Sequence, residues 1–263
     1  MSILDDWKTP ALKTDGGTCG AQLAGNTATG LLKLVAICLM IIDHTGAAIF
    51  TGCTELRIIG RIAFPLFAWC VVVGSEYSRS IPRYALRLLF FFAVSQPFYM
   101  LALNHTLLQF NIFATLFLGL IGIYGIKLKK YGSQFILPAL AILFTCFVSV
   151  DYGWRGVTFI LLLYGARKTR SGLAAVMIAF CLYWGQSSSA IRTAFGVNFD
   201  ALSTLTPYGS TLVSSVLRLQ AMAVLALPLI LCPMRCALRI SKWAAYAAYP
   251  AHLLILYLIK LCL

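Results

Sequence analysis

The chain has 263 residues, 60% of them hydrophobic and only 11% charged, with a formal net charge of +13. A soluble domain carries about 25% charged residues, whereas here apolar runs recur from Leu31 to the C-terminus, each long enough to cross a bilayer core of roughly 30 Å. This excludes a soluble fold. The absence of ~10-residue segments of alternating polarity excludes a β-barrel.

The reading is an all-α, polytopic transmembrane bundle. Residues 1–30, polar and rich in Gly and Thr, are expected as a disordered cytoplasmic tail ahead of one transmembrane domain, 31–263. About nine spans are drawn: 31–50, 58–76, 83–102, 110–126, 134–150, 155–166, 171–186, 210–231 and 243–262. Basic residues gather in every second loop (Arg79 and Arg83; Lys127, Lys129 and Lys130; Arg167, Lys168 and Arg170; Arg235, Arg239 and Lys242). With the N-terminus in the cytoplasm, nine spans satisfy the positive-inside rule at each loop. The net charge is explained by this topology, and nucleic acid is not an expected partner. The nine cysteines form no CxxC pair; Cys38, Cys70, Cys146 and Cys181 fall inside spans as packing residues, and the pairing of Cys19 and Cys53 is left open. No metal-ligand spacing is present.

The first span, "LLKLVAICLMIIDHTGAAIF", carries an acid and an imidazole at Asp43 and His44. Ionisable groups at that depth face the bundle interior or a wet cavity and mark function, against the bland alternative of a satisfied core histidine. Lys33 lies eleven residues earlier, about 20° away around the helix and roughly 16 Å along its axis; at a helix end it can snorkel to headgroups. The second span begins "ELRIIGRIAFPLFAWC", with Arg57 and Arg61 one turn apart and Pro65 expected to kink the helix. In a hairpin of these two spans, the arginines meet Asp43 and His44. A buried Arg–Asp pair and an anion-holding site are equally open there.

In the third span, Arg83 and Arg87 stand one turn apart at the cytoplasmic end, where topology signals and, in register with "KLKK", a seat for cofactor phosphates are both open. Asn111 and Thr115, then Asp151 and Arg155 in "VDYGWRG", interrupt later apolar runs, and His252 follows Pro250 near mid-membrane in the last span. An intramembrane His beside an acid, with Arg at two depths, suits acyl transfer. His44 takes a proton from an amine or hydroxyl nucleophile, Asp43 fixes its tautomer, and Arg or Asn111 stabilises the oxyanion. Candidate substrate contacts are Arg57, Arg61, Asn111, Asp151, Arg155 and His252; candidate donor contacts are Lys33, Arg83 and Arg87. A proton-coupled transporter uses the same residue types and is the rival class.

"LLKLVAICLMIIDHTGA", "LRIIGRIAFPLFAWCVVVG", "FNIFATLFLGL", "DYGWRG" and "YPAHLLILYL" resemble, in order, the TraX family of integral membrane proteins linked to conjugative pilus biogenesis and distantly similar to membrane acyltransferases. The resemblance is densest over 33–79 and marks Lys33, Asp43, His44, Arg61 and His252 as matching the family's polar motif positions. It implies a bacterial inner-membrane enzyme that N-acetylates the terminus of a pilin or another exported acceptor with acetyl-CoA as donor. A non-catalytic pilus-assembly factor is a further alternative.

Overall fold

The computed structural model describes residues 23–199, 208–234 and 241–263. The helices in chain order are α1 (Thr29–Ala48), α2 (Thr54–Gly60), α3 (Ala63–Tyr77), α4 (Ile81–Leu103), α5 (Ile112–Leu128), α6 (Ser133–Phe147), α7 (Gly153–Ala166) and α8 (Arg170–Gly185). They are followed by α9 (Gly209–Val216), a 3₁₀ segment (Leu219–Ala226), α10 (Leu227–Leu231) and α11 (Lys242–Cys262). Two small ribbons join loops: β1 (Gln109–Phe110) pairs in parallel with β2 (Ser149–Val150), and β3 (Thr193–Ala194) pairs antiparallel with β4 (Val197–Asn198).

Among the described residues, four stretches are long and apolar enough to cross a membrane: Thr29–Ala48, Thr54–Tyr77, Ile81–Leu103 and Trp243–Cys262. The other expected spans form shorter helices. α6, with 15 residues, covers about 22 Å at ~1.5 Å per residue, less than a core of roughly 30 Å. The chain is an all-α membrane protein.

α3 forms the centre. Phe64, Leu66, Trp69 and Val72 are fully buried on different sides of it, as expected for a helix that is hydrophobic all round. Trp69 Nε1–H donates to the Asn26 carbonyl at 2.7 Å, Asn26 Nδ2–H donates to the Leu229 carbonyl at 3.2 Å, and Asn26 Oδ1 accepts the Ala28 N–H at 2.9 Å. The last part of the expected tail is therefore packed: from Leu23 onward it lies against the core, and Asn26 is buried. The rest of that tail, up to Gln22, lies outside the described residues, as do 200–207 of the long polar connection and the basic loop at 235–240.

Two of the basic loop ends meet at one acid. Glu76 of α3 pairs with Lys127 of α5 at 3.4 Å and Arg167, just after α7, at 3.0 Å. Lys127 is thereby committed to Glu76 and to the Ser75 carbonyl. Of the "KLKK" lysines expected in register with Arg83 and Arg87, Lys127 is thus taken by the nearest carboxylate.

Spans one and two form the expected hairpin, but its bend lies elsewhere. The helix breaks between Gly60 and Ala63, one turn before Pro65. The proline has no N–H to offer the Arg61 carbonyl, so the ladder is lost upstream of the ring rather than at it. Gly60 sits against Asp43 so tightly that a Cβ there would overlap the carboxylate. Gly60→Ala is expected to push α1 away from α2 and lower stability by about 1–3 kcal/mol, seen as a reduced midpoint in thermal unfolding of the detergent-solubilised protein.

Candidate active site

The site lies where α1, α2, the turn before α7 and α11 converge. Asp43 Oδ2 receives two guanidinium groups, Arg57 Nη1 at 2.9 Å and Arg61 Nη2 at 2.5 Å, and Arg57 Nη1 also donates to the Asp43 carbonyl at 2.9 Å. The i, i+4 spacing of the arginines on one helix face makes both reach one carboxylate. Arg61 extends further to Gln220 Oε1 of the 3₁₀ segment at 3.3 Å. Of the two readings open for Arg57 and Arg61, the geometry selects the buried ion pair. Gln220 was not anticipated; its only sequence signal is an amide inside an apolar run.

His44 does not meet Asp43. Consecutive helical residues point about 100° apart, so the acid turns toward α2 while the imidazole turns toward α11. There His44 Nδ1 lies 2.7 Å from His252 Nε2, with the rings nearly parallel (12°). His252 Nδ1 lies 3.0 Å from the Ala248 carbonyl, which can only accept. The chain of donors follows from this. In the neutral pair, His252 carries its proton on Nδ1, its Nε2 accepts from His44 Nδ1–H, and His44 Nε2 keeps a free lone pair. The expected orienting role of Asp43 falls to His252, and Tyr249 packs edge-on against both imidazoles.

His44 lines a small cavity of about 10 Å³ together with Asp43, Asp151, Tyr152 and Tyr249. The Asp151 backbone is fixed, its N–H donating to the Phe110 carbonyl at 2.8 Å and its carbonyl accepting from Thr115 Oγ1. Burial pushes its carboxyl, in the turn outside the helices, up to about 6, with Arg61 pulling the other way. Tyr152 follows in a left-handed conformation (φ 66°) and stacks on Phe64. A larger apolar cavity of about 50 Å³ adjoins the first, sharing Met40, Phe67, Ile112 and Tyr249 as walls. It runs back along α1 to Lys33. Lys33 and Cys70 in turn border a cleft that ends at Tyr77, and Tyr77 borders an outer cleft with Arg79, Arg83 and Arg87.

Two expected site residues lie elsewhere. Asn111 caps α5: Oδ1 accepts the Phe113 N–H at 3.0 Å, and Nδ2–H₂ donates to Gln96 Oε1 at 3.0 Å and the Phe92 carbonyl at 3.1 Å. No donor is left for an oxyanion; the residue was read for its depth, whereas its place just before a helix makes it a cap. Arg155 makes no ion pair with Asp151 and lies over the Trp154 ring at 5.1 Å. The described residues contain no group of His, Cys, Asp and Glu fit for a metal ion.

The arginine–carboxylate cluster gives a stability test. Asp43→Asn leaves two guanidinium groups facing each other without their anion and is expected to cost about 3–5 kcal/mol. Asp43→Asn combined with Arg61→Gln is expected to recover part of that loss, read by thermal unfolding of the purified protein.

The family model described as "TraX protein" matches residues 28–260. A relative from Dichelobacter nodosus, named "Probable fimbrial assembly protein FimC, serogroup H1", is 38% identical over 72 residues, which is 26% of this chain and 30% of the relative. The chain thus matches less than a third of that relative's length. An uncharacterised protein of Rickettsia prowazekii (strain Madrid E) is 25% identical over 207 residues, 76% of this chain and 77% of the relative. No solved structure matches. The match from 28 to 260 takes in the His44–His252 pair and the hairpin that holds Asp43, so the chain belongs to the TraX family.

Proposed function

We propose that the chain is a multi-pass acyltransferase of the bacterial inner membrane, with its N-terminus in the cytoplasm and nine crossings. In this reading it moves an acetyl group from acetyl-CoA to an exported acceptor, the N-terminal amine of a pilin being the first choice. The observation that carries this is the line of cavities along α1. It begins at a basic cleft with Arg79, Arg83 and Arg87, passes Lys33, continues between apolar walls, and ends at His44. Arginines suit phosphates, and Arg87 keeps a buried Nε without a partner. An apolar passage of roughly 16 Å along the helix suits a flexible thioester arm whose reacting carbonyl must come to His44. The fimbrial name of one relative supports a role in pilus biogenesis.

The chemistry follows from the tautomers. His44 Nε2, with its lone pair free, takes a proton from the attacking amine or hydroxyl. His252 holds the ring through Nδ1 and shares the charge that develops on it. The new bond to the acyl carbon forms as the carbon–sulfur bond breaks, and the departing thiolate takes up the proton. Arg57 and Arg61 keep the Asp43 end of the cavity positively polarised, so negative charge on the carbonyl oxygen is favoured there.

A proton-coupled transporter would use the same imidazole pair as a relay, and a non-catalytic assembly factor would not need it. In proteoliposomes given labelled acetyl-CoA and acceptor, His44→Ala is expected to reduce transfer by about 10²–10⁴-fold with normal accumulation in the membrane. His252→Ala is expected to reduce it less, because His44 is kept but its tautomer is released. Equal labelling by His44→Ala and wild type would refute the proposal, and proton flux without any acetylated product would favour the transporter.

A further inference from the structure

The two carboxylates that border the catalytic cavity have different surroundings. Asp43 is ion-paired twice, Arg57 and Arg61 both binding its Oδ2, while its buried Oδ1 has no hydrogen-bond partner among the described residues. Asp151 borders the same cavity, opposite no committed partner, since no lysine, arginine or histidine among the described residues forms an ion pair with it. Arg61 and Arg57 act on it electrostatically, but the hydrogen bonds of Arg61 go through its two Nη groups to Gln220 and Asp43, with its Nε left without a partner. Arg155, one turn further, turns to Trp154. Asp151 is half-buried; a carboxylate partly withdrawn from water without a cation carries part of the desolvation cost, and its backbone is pinned in place through Phe110 and Thr115. A second polar group faces the same space: the buried Tyr249 hydroxyl, which has no well-formed hydrogen bond.

We propose that the Asp151 carboxylate is the seat for the ammonium group of the acyl acceptor, so that this enzyme selects primary amines over hydroxyls. The inference rests on the acyl-transfer reading and assigns its acceptor side. The ammonium nitrogen sits between Asp151 and the free Nε2 of His44, with Tyr249 Oη as a further acceptor. One proton passes from the ammonium to His44 Nε2 and on to water, which gives the nitrogen its lone pair. The second leaves as the nitrogen–carbon bond forms and the carbon–sulfur bond breaks, and it ends on the released thiol. Asp151 is a positioning residue in the first step and an electrostatic partner to the protonated His44 after it.

The test uses the full-length protein in nanodiscs. Probes are a short peptide with a free α-amine, the same peptide with a hydroxyl in place of that amine, and nanodiscs of phosphatidylethanolamine or phosphatidylglycerol. The expected result is that the amine peptide binds in the absence of donor, that Asp151→Asn weakens this binding at least tenfold, and that Asp151→Glu restores most of it. In turnover, Asp151→Asn is expected to raise KM for the amine while leaving KM for acetyl-CoA unchanged. Labelled phosphatidylethanolamine, lost in Asp151→Asn, would support the seat and identify the amine as a headgroup. Wild-type turnover with unaltered binding and KM in Asp151→Asn would overturn the seat and leave the acyl-transfer reading standing. Asp151-dependent amine binding without any acetyl transfer would keep the amine site and overturn the acyl-transfer reading.

Discussion

Asp43 cannot exist as a lone anion inside an apolar bundle, and this constraint organises the molecule. Two arginines, Arg57 and Arg61, neutralise it, and their i, i+4 spacing brings both to one oxygen. Gly60 must also lack a side chain for that helix to approach α1. The same contact sets the register of α1, which then determines what its neighbouring residues face. Removing the charge by hydrophobic replacement is a change that buried pairs often tolerate; here the pair also fixes which way His44 points.

That direction matters because α11 supplies the complementary group. The Ala248 carbonyl fixes the proton on His252, His252 fixes the proton on His44, and the outcome is a base nitrogen at the inner end of a line of cavities. The acid beside the base in sequence serves geometry, and a histidine more than two hundred positions away serves tautomer control. Each group does what its hydrogen-bonding partners permit, and adjacency along the chain decides neither role.

The basic end and the reactive end are separated along α1 by apolar walls, an arrangement suited to a donor with a charged head and a reactive tail. Glu76, Lys127 and Arg167 tie three helix ends together beside the basic cleft, which Arg79, Arg83 and Arg87 line.

The amino-acid sequence by itself determined the membrane class, the places of the long helices and the short list of polar groups that demand a reason, because apolar runs and the cost of charge in lipid are local properties. It also brought the arginines to the depth of Asp43 and His44, since i, i+4 spacing and a hairpin suffice for that, and left open whether they hold the acid or another anion. Only the tertiary structure decided that His44 pairs with His252, that Asn111 is a helix cap, that Arg155 turns away, and that Asp151 has no ion-pair partner among the described residues. Those outcomes depend on which helices touch, and a hydrogen bond across more than two hundred residues leaves no periodic trace in the chain that makes it.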